Sequence, residues 1–131
     1  MNLLLDTHIW IWAVLEPERL SARVAKELAD PDNQLWLSSV SVWELILLHR
    51  KQRIELEEEA VPWVRKTLDL LQLNEAPLTI DVALEVSAVN LPHDDPADRF
   101  LVASAKVFGL TLVTADRRLA RAPGITVLAN R

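Results

Sequence analysis

The feature that most constrains this chain is a rhythm: short, unbroken apolar runs alternate with longer segments that open on helix-capping residues. Leu3-Leu4-Leu5, Leu35-Trp36-Leu37 and Leu112-Val113 lack the apolar–polar alternation of a strand with one wet face. Such runs suit strands buried on both sides. Strands separated by helices pair most simply as parallel neighbours in a sheet covered on both faces.

The punctuation places the elements. Asn2–Leu5 is the first strand, and Asp6-Thr7 can cap a helix to about Leu15, ended by Pro17. Ser21 caps a helix from Ala22 to about Ala29, stopped by Asp30-Pro31-Asp32-Asn33. Leu35–Ser38 is the second strand. Ser41 and Glu44 then stand in the S-x-x-E arrangement of a capping box, which predicts a helix to about Lys51. The acidic run Glu57-Glu58-Glu59 favours the N-terminus of a helix over about Ala60–Leu71, with Pro62 in its first turn. Asn74–Leu78 is a weak third strand, and Thr79 caps a helix from Ile80 to about Val89. Asp95-Pro96-Ala97-Asp98 supplies cap, proline and first-turn acid to a helix reaching Phe108, closed by Gly109. Leu110–Thr114 and Ile125–Leu128 complete the strands. The expected fold is α/β: one domain over residues 1–131, with a central, mostly parallel sheet of about five strands between two layers of helices.

In such sheets ligands gather at the carboxyl ends of the strands. Asp6 and Asp116 each follow an apolar strand, while Glu44 and Asp98 lie near helix starts. Singly, each reads as a cap or a dipole partner. Together they would form a cage of oxygens that repels itself, by about 4 kcal/mol for two charges about 4 Å apart at an effective dielectric of about 20. A hard divalent cation, Mg2+ or Mn2+, relieves that repulsion and can activate water against a phosphodiester. The chain contains no cysteine, and its histidines (His8, His49, His93) show no ligand spacing, which weighs against zinc. The net charge of −5 argues against a broadly basic nucleic-acid-coating surface, but a carboxylate cluster accounts for much of it. Basic residues still gather at Arg50-Lys51-Gln52-Arg53 and at Arg117, Arg118 and Arg121. No apolar stretch approaches the roughly 18–20 residues of a membrane span, and the absence of cysteine suits a reducing compartment. A cytoplasmic protein is expected.

Four stretches resemble the PIN-domain ribonucleases and, within them, the VapC-type toxins of bacterial toxin–antitoxin pairs: Leu4-Leu5-Asp6-Thr7-His8, Ser38–Leu45 ending in Trp43-Glu44-Leu45, Asp95–Arg99, and Leu112–Asp116. In that order they cover essentially the whole chain; Ala97 is smaller than the residue usual at its position. The resemblance implies a magnesium-dependent endoribonuclease with Asp6, Glu44, Asp98 and Asp116 as its acidic centre and Thr7 and Thr114 as supporting hydroxyls. It also implies a dimer and a small antitoxin encoded beside the toxin. Asp6 and Asp98 are the expected direct metal ligands, and Glu44 a ligand or water-orienting base. Asp116 would hold a second metal or a metal-bound water. Arg99, Arg117 and Arg118 are candidates for RNA phosphate contacts, or surface charges balancing nearby acids. The alternative is a PIN-like module that binds RNA or protein without cutting. An Asp6-nucleophile phosphatase is disfavoured, because His8 stands where a second aspartate would be wanted.

Ile9–Leu15 is apolar at every position, so a helix there needs cover on more than one side. Trp10 or Trp12, with part of Leu45–Leu48, is therefore expected to form a patch covered by another chain.

Overall fold

In the computed structural model, which describes Met1–Arg131, β1 (Asn2–Leu5), β2 (Gln34–Ser38), β3 (Asn74–Ala76), β4 (Thr111–Thr114) and β5 (Val127–Ala129) form one sheet. Its order is β3-β2-β1-β4-β5, and every neighbouring pair is parallel. The chain builds outward from β1 through β2 to β3, then crosses to lay β4 and β5 on the other side. The reversal puts a crevice beyond the carboxyl ends of β1 and β4.

The unbroken leucines of β1 are explained by where they point. Leu3 and Leu5 join a core with Ile9, Trp10, Val24, Leu45 and Trp63; Leu4 points the other way, into a core with Leu101, Val102, Leu112 and Leu119. All three leucines are fully buried, so β1 is covered on both faces. The first face is covered by α1 (Thr7–Leu15), α2 (Ala22–Ala29) and α4 (Ala60–Leu70), the second by α6 (Pro96–Phe108) and α7 (Arg117–Ala120). Helix α3 (Ser39–Arg50) gives Leu45 to one core and Val40 to the other, and α5 (Ile80–Val86) packs on α6. Truncating Leu4 to alanine would cost about 2–5 kcal/mol.

Local chemistry fixes most helix starts. The hydroxyls of Ser21 and Thr79 accept from the amides of Val24 and Val82, and Gly109 closes α6 at φ 65°. Two readings change. The helix containing Glu44 begins a turn earlier than a Ser41 cap requires: Ser38, the last residue of β2, accepts from the Val40 amide at 3.1 Å. Ser41 is then fully buried inside the first turn and takes a hydrogen bond from the Thr7 hydroxyl, at 2.9 Å, so no Ser41–Glu44 capping box forms. The expected partner patch also loses Trp10. Helix α4 lies across α1, so Trp10 is fully buried within the chain, donates Nε1–H to Thr67 Oγ1 at 3.1 Å and packs 5.3 Å from Trp63. Leu45 is buried as well; Trp12 stays partly open, with the Arg19 guanidinium 4.2 Å above its ring.

Candidate metal centre

The pairing of β1 with β4 builds the floor of the crevice. Leu5 is in register with Val113, and the Asp6 amide donates to the Val113 carbonyl at 2.9 Å, bringing Asp6 level with Thr114. The Thr114 hydroxyl donates to Asp6 Oδ2 at 2.6 Å and accepts from the Asp116 amide at 3.0 Å. Asp6 occupies the N-cap position of α1 but makes no side-chain cap bond. Its carboxylate is turned instead toward the crevice, where burial pushes its pKa up to about 6, against a lowering by the Thr114 bond. The charges of Asp98 and Glu44 raise it further, and His8 lowers it.

Asp98 enters from the other helix layer. Asp95 caps α6 through the amides of Ala97 and Asp98, Pro96 fills the first helical position, and Asp98 is left in the first turn facing inward. It is buried, and its pKa too is raised, first by burial and also by the charges of Asp95 and Asp116. Against that, His93 lowers it: Nε2 lies 2.7 Å from Asp98 Oδ2. Asp116, at the start of α7, lies in the opposite regime. Its carboxylate accepts from the Arg118 amide at 2.8 Å and from the Arg118 guanidinium at 3.0 and 3.3 Å, and this partner holds its pKa low. Glu44, on α3, is half-buried.

The electrostatic couplings therefore link Asp6 to Asp98 and Glu44, and Asp98 to Asp116. Ligating atoms of His93, Asp98 and Asp116 lie within 4.8 Å of one another. The donor set is rich in oxygen, lacks sulphur, and leaves Asp6 buried with no basic side chain bonded to it. That chemistry fits a hard divalent cation.

The remaining expected residues divide. Thr114 supports an acid directly, whereas Thr7 is fully buried and spends its hydroxyl on Ser41, tying α1 to α3. Arg99 donates to the carbonyls of Val89 at 3.0 Å and His93 at 3.5 Å and lies 3.3 Å from Asp94, so the 89–94 segment already engages its guanidinium. Arg117 and Arg118, with Arg121 and Asn90, line a recess of about 250 Å³ beside Asp116. A second recess of about 340 Å³ flanks Glu44, lined by Trp43, Lys51, Arg53 and Ala97 among others. Trp43 is 55% exposed. His93 is the residue that ligand spacing misses; its location between Pro92 and the Asp95 cap, five residues before a buried acid, is the clue.

Known proteins resemble this chain in sequence and fold. The family model described as PIN domain matches residues 3–125. Ribonuclease VapC22 of Mycobacterium tuberculosis is 36% identical over 123 residues, covering 90% of this chain and 89% of that protein. Among solved structures, VapBC2 from Rickettsia felis, bound to a DNA fragment from its promoter, superposes with a TM-score of 0.73 at 19% identity, covering 98% of each chain. DNA-bound VapBC from Salmonella typhimurium does so with a TM-score of 0.68 at 20% identity, covering 100% of this chain and 99% of that one.

Proposed function

Since the chain belongs to the PIN-domain family, in its VapC-type branch, we propose that it is a divalent-cation-dependent endoribonuclease, the toxin of a VapBC-type pair. One observation carries the reading: two buried aspartates from different layers, Asp6 and Asp98, converge where the strand order reverses, and neither is paired with a lysine or arginine.

Asp6 and Asp98 would hold Mg2+, or Mn2+ in its place, with Asp116 binding the ion or its water. The bound cation would supply charge stabilisation at the phosphodiester and a more acidic water. Glu44, half-buried and with no side-chain hydrogen bond to the protein, would orient the attacking water and accept its proton. Thr114 fixes Asp6. Arg117 and Arg118 line one flank and Lys51 and Arg53 the other, so an RNA backbone crossing the acids meets positive charge on both sides.

The relatives' assemblies guide the partners. A small antitoxin is the expected companion, and the open groove beside Trp12, lined by Ile11, Leu15, Arg19 and Ile54, suits its apolar side chains. A homodimer is supported by Ile80 and Leu84, one helical turn apart and 79% and 66% exposed. No helix is long and apolar enough to cross a membrane, which accords with a place in the cytoplasm.

The test is cleavage of varied RNAs with Mg2+ or Mn2+ by the wild-type chain and by Asp98→Asn. Cleavage should need the cation and vanish in the variant while its circular dichroism is unchanged. A folded Asp98→Asn protein that cuts as before would remove Asp98 from the chemistry.

A further inference from the structure

We propose that His93 is a positioning residue that fixes the Asp98 carboxylate so that it presents a single oxygen to the cation, an inference that rests on the metal reading above. An ionised carboxylate only accepts, so the proton of the 2.7 Å contact is on Nε2, and the length is that of a charge-assisted bond. Both side chains are only 12% exposed. His93 Nδ1 is buried with no partner, so the ring's one hydrogen bond is the bond to Asp98.

The main chain of the same residue is held too. Arg99, next to Asp98 on α6, reaches back to the carbonyls of Val89 and His93. Consecutive residues of one helix thus grip one loop residue, Asp98 by its ring and Arg99 by its carbonyl. This is how an irregular segment comes to deliver a well-placed imidazole.

The pattern at Asp6 is the same in outline. Thr114 takes Oδ2 of Asp6 as His93 takes Oδ2 of Asp98, and Oδ1 of either aspartate accepts no hydrogen bond from the protein. A carboxylate held by one oxygen cannot swing to chelate with both. It offers one oxygen in one direction, which suits the strict octahedral geometry of Mg2+ and the octahedral oxygen sites that Mn2+ shares with it. The same bond keeps His93 from acting as a ligand, since protonated Nε2 has no lone pair to give and Nδ1 is buried.

Mn2+ affinity of the full chain, read from the paramagnetic resonance of free ion, tests this in wild type, His93→Leu and His93→Gln. Leucine keeps bulk and loses the donor; glutamine places an amide donor near the Nε2 position. Affinity should fall about 10- to 100-fold in His93→Leu and stay within about threefold of wild type in His93→Gln. Wild-type affinity in a folded His93→Leu protein overturns the proposal. So does an equal loss in His93→Gln, which decides the matter even where the leucine variant is too unstable to titrate. Imidazole nitrogen coupling to bound Mn2+ that disappears in His93→Gln would make His93 a ligand and overturn it as well. A wild-type chain that binds no Mn2+ refutes the metal reading itself, a different result from any of these.

Discussion

Asp6 and Asp116 follow neighbouring parallel strands and share one hydroxyl, that of Thr114, yet their carboxylates are kept in opposite ways. On the floor, Asp6 and Asp98 are buried, hydrogen-bonded only to neutral or tautomeric partners, and raised in pKa. On the rim, Asp116 is gripped by a guanidinium and lowered in pKa. The rim acid has an arginine counter-charge within the chain; the floor acids have neither a lysine nor an arginine bonded to them. Folding a chain around unneutralised carboxylates is unfavourable, so the difference marks where an external cation adds most.

The comparison breaks first at the chemistry. Asp6→Asn and Asp98→Asn should each lower RNA cleavage on the order of 10³-fold, about 4 kcal/mol of barrier, with Asp116→Asn clearly less damaging. Equal losses from floor and rim, measured as single-turnover rates, would erase the distinction.

Stability without metal gives the next largest effect. Because Asp6 has a folded pKa of about 6 against an ordinary 3.8, the native state binds more protons than the unfolded chain between those values. Stability of the metal-free chain should therefore fall as pH rises from about 4 to about 6, by at most ~3 kcal/mol. Asp6→Asn should flatten that slope and stabilise the apo chain at neutral pH. Urea midpoints across pH, with EDTA present, check both; a wild-type slope that persists in Asp6→Asn would assign it elsewhere.

Thr114→Val probes the hinge between the two regions. It removes the donor to Asp6 and the acceptor of the Asp116 amide, and should lower stability by about 1–3 kcal/mol in the same urea assay. The smallest effect belongs to Arg118→Gln. On an exposed ion pair, the loss should leave the urea midpoint nearly unchanged while the Asp116 carboxyl, followed by NMR, titrates closer to the ordinary aspartate range.

Much of this was legible in the chain because local chemistry and global fold agree. Ser21, Thr79, Asp95 and Gly109 bound their helices where their side chains or backbone freedom suggested. The unbroken leucines of β1 announced burial on both faces. Two of the misreadings share a cause: neighbours far along the chain settled them. Ser38 and Ser41 are both plausible caps, and the choice fell to Ser38 because the helix starts directly off β2, while Ser41 answers to Thr7. Trp10 looked like an interface because the tryptophan and threonine that enclose it, Trp63 and Thr67, lie more than fifty positions away. Arg99 carried no mark of its inward turn, and His93 had no ligand spacing because its partner is reached across a folded loop.

The central place of β1 has a consequence for timing. Asp6 belongs to the first strand, but its hydroxyl partner is 108 positions later, on β4, and Asp98 waits on α6. A parallel sheet whose middle strand is made first cannot close until its later neighbours exist. At a synthesis rate of about 5–20 residues per second, an interval of several seconds separates the appearance of Asp6 from that of Thr114. For that interval the nascent chain has no floor to its acidic centre and no means of holding a cation there. Under the function proposed above, the chain is inert until β4 has paired with β1, because Asp6, Thr114 and Asp98 are brought together only late in folding.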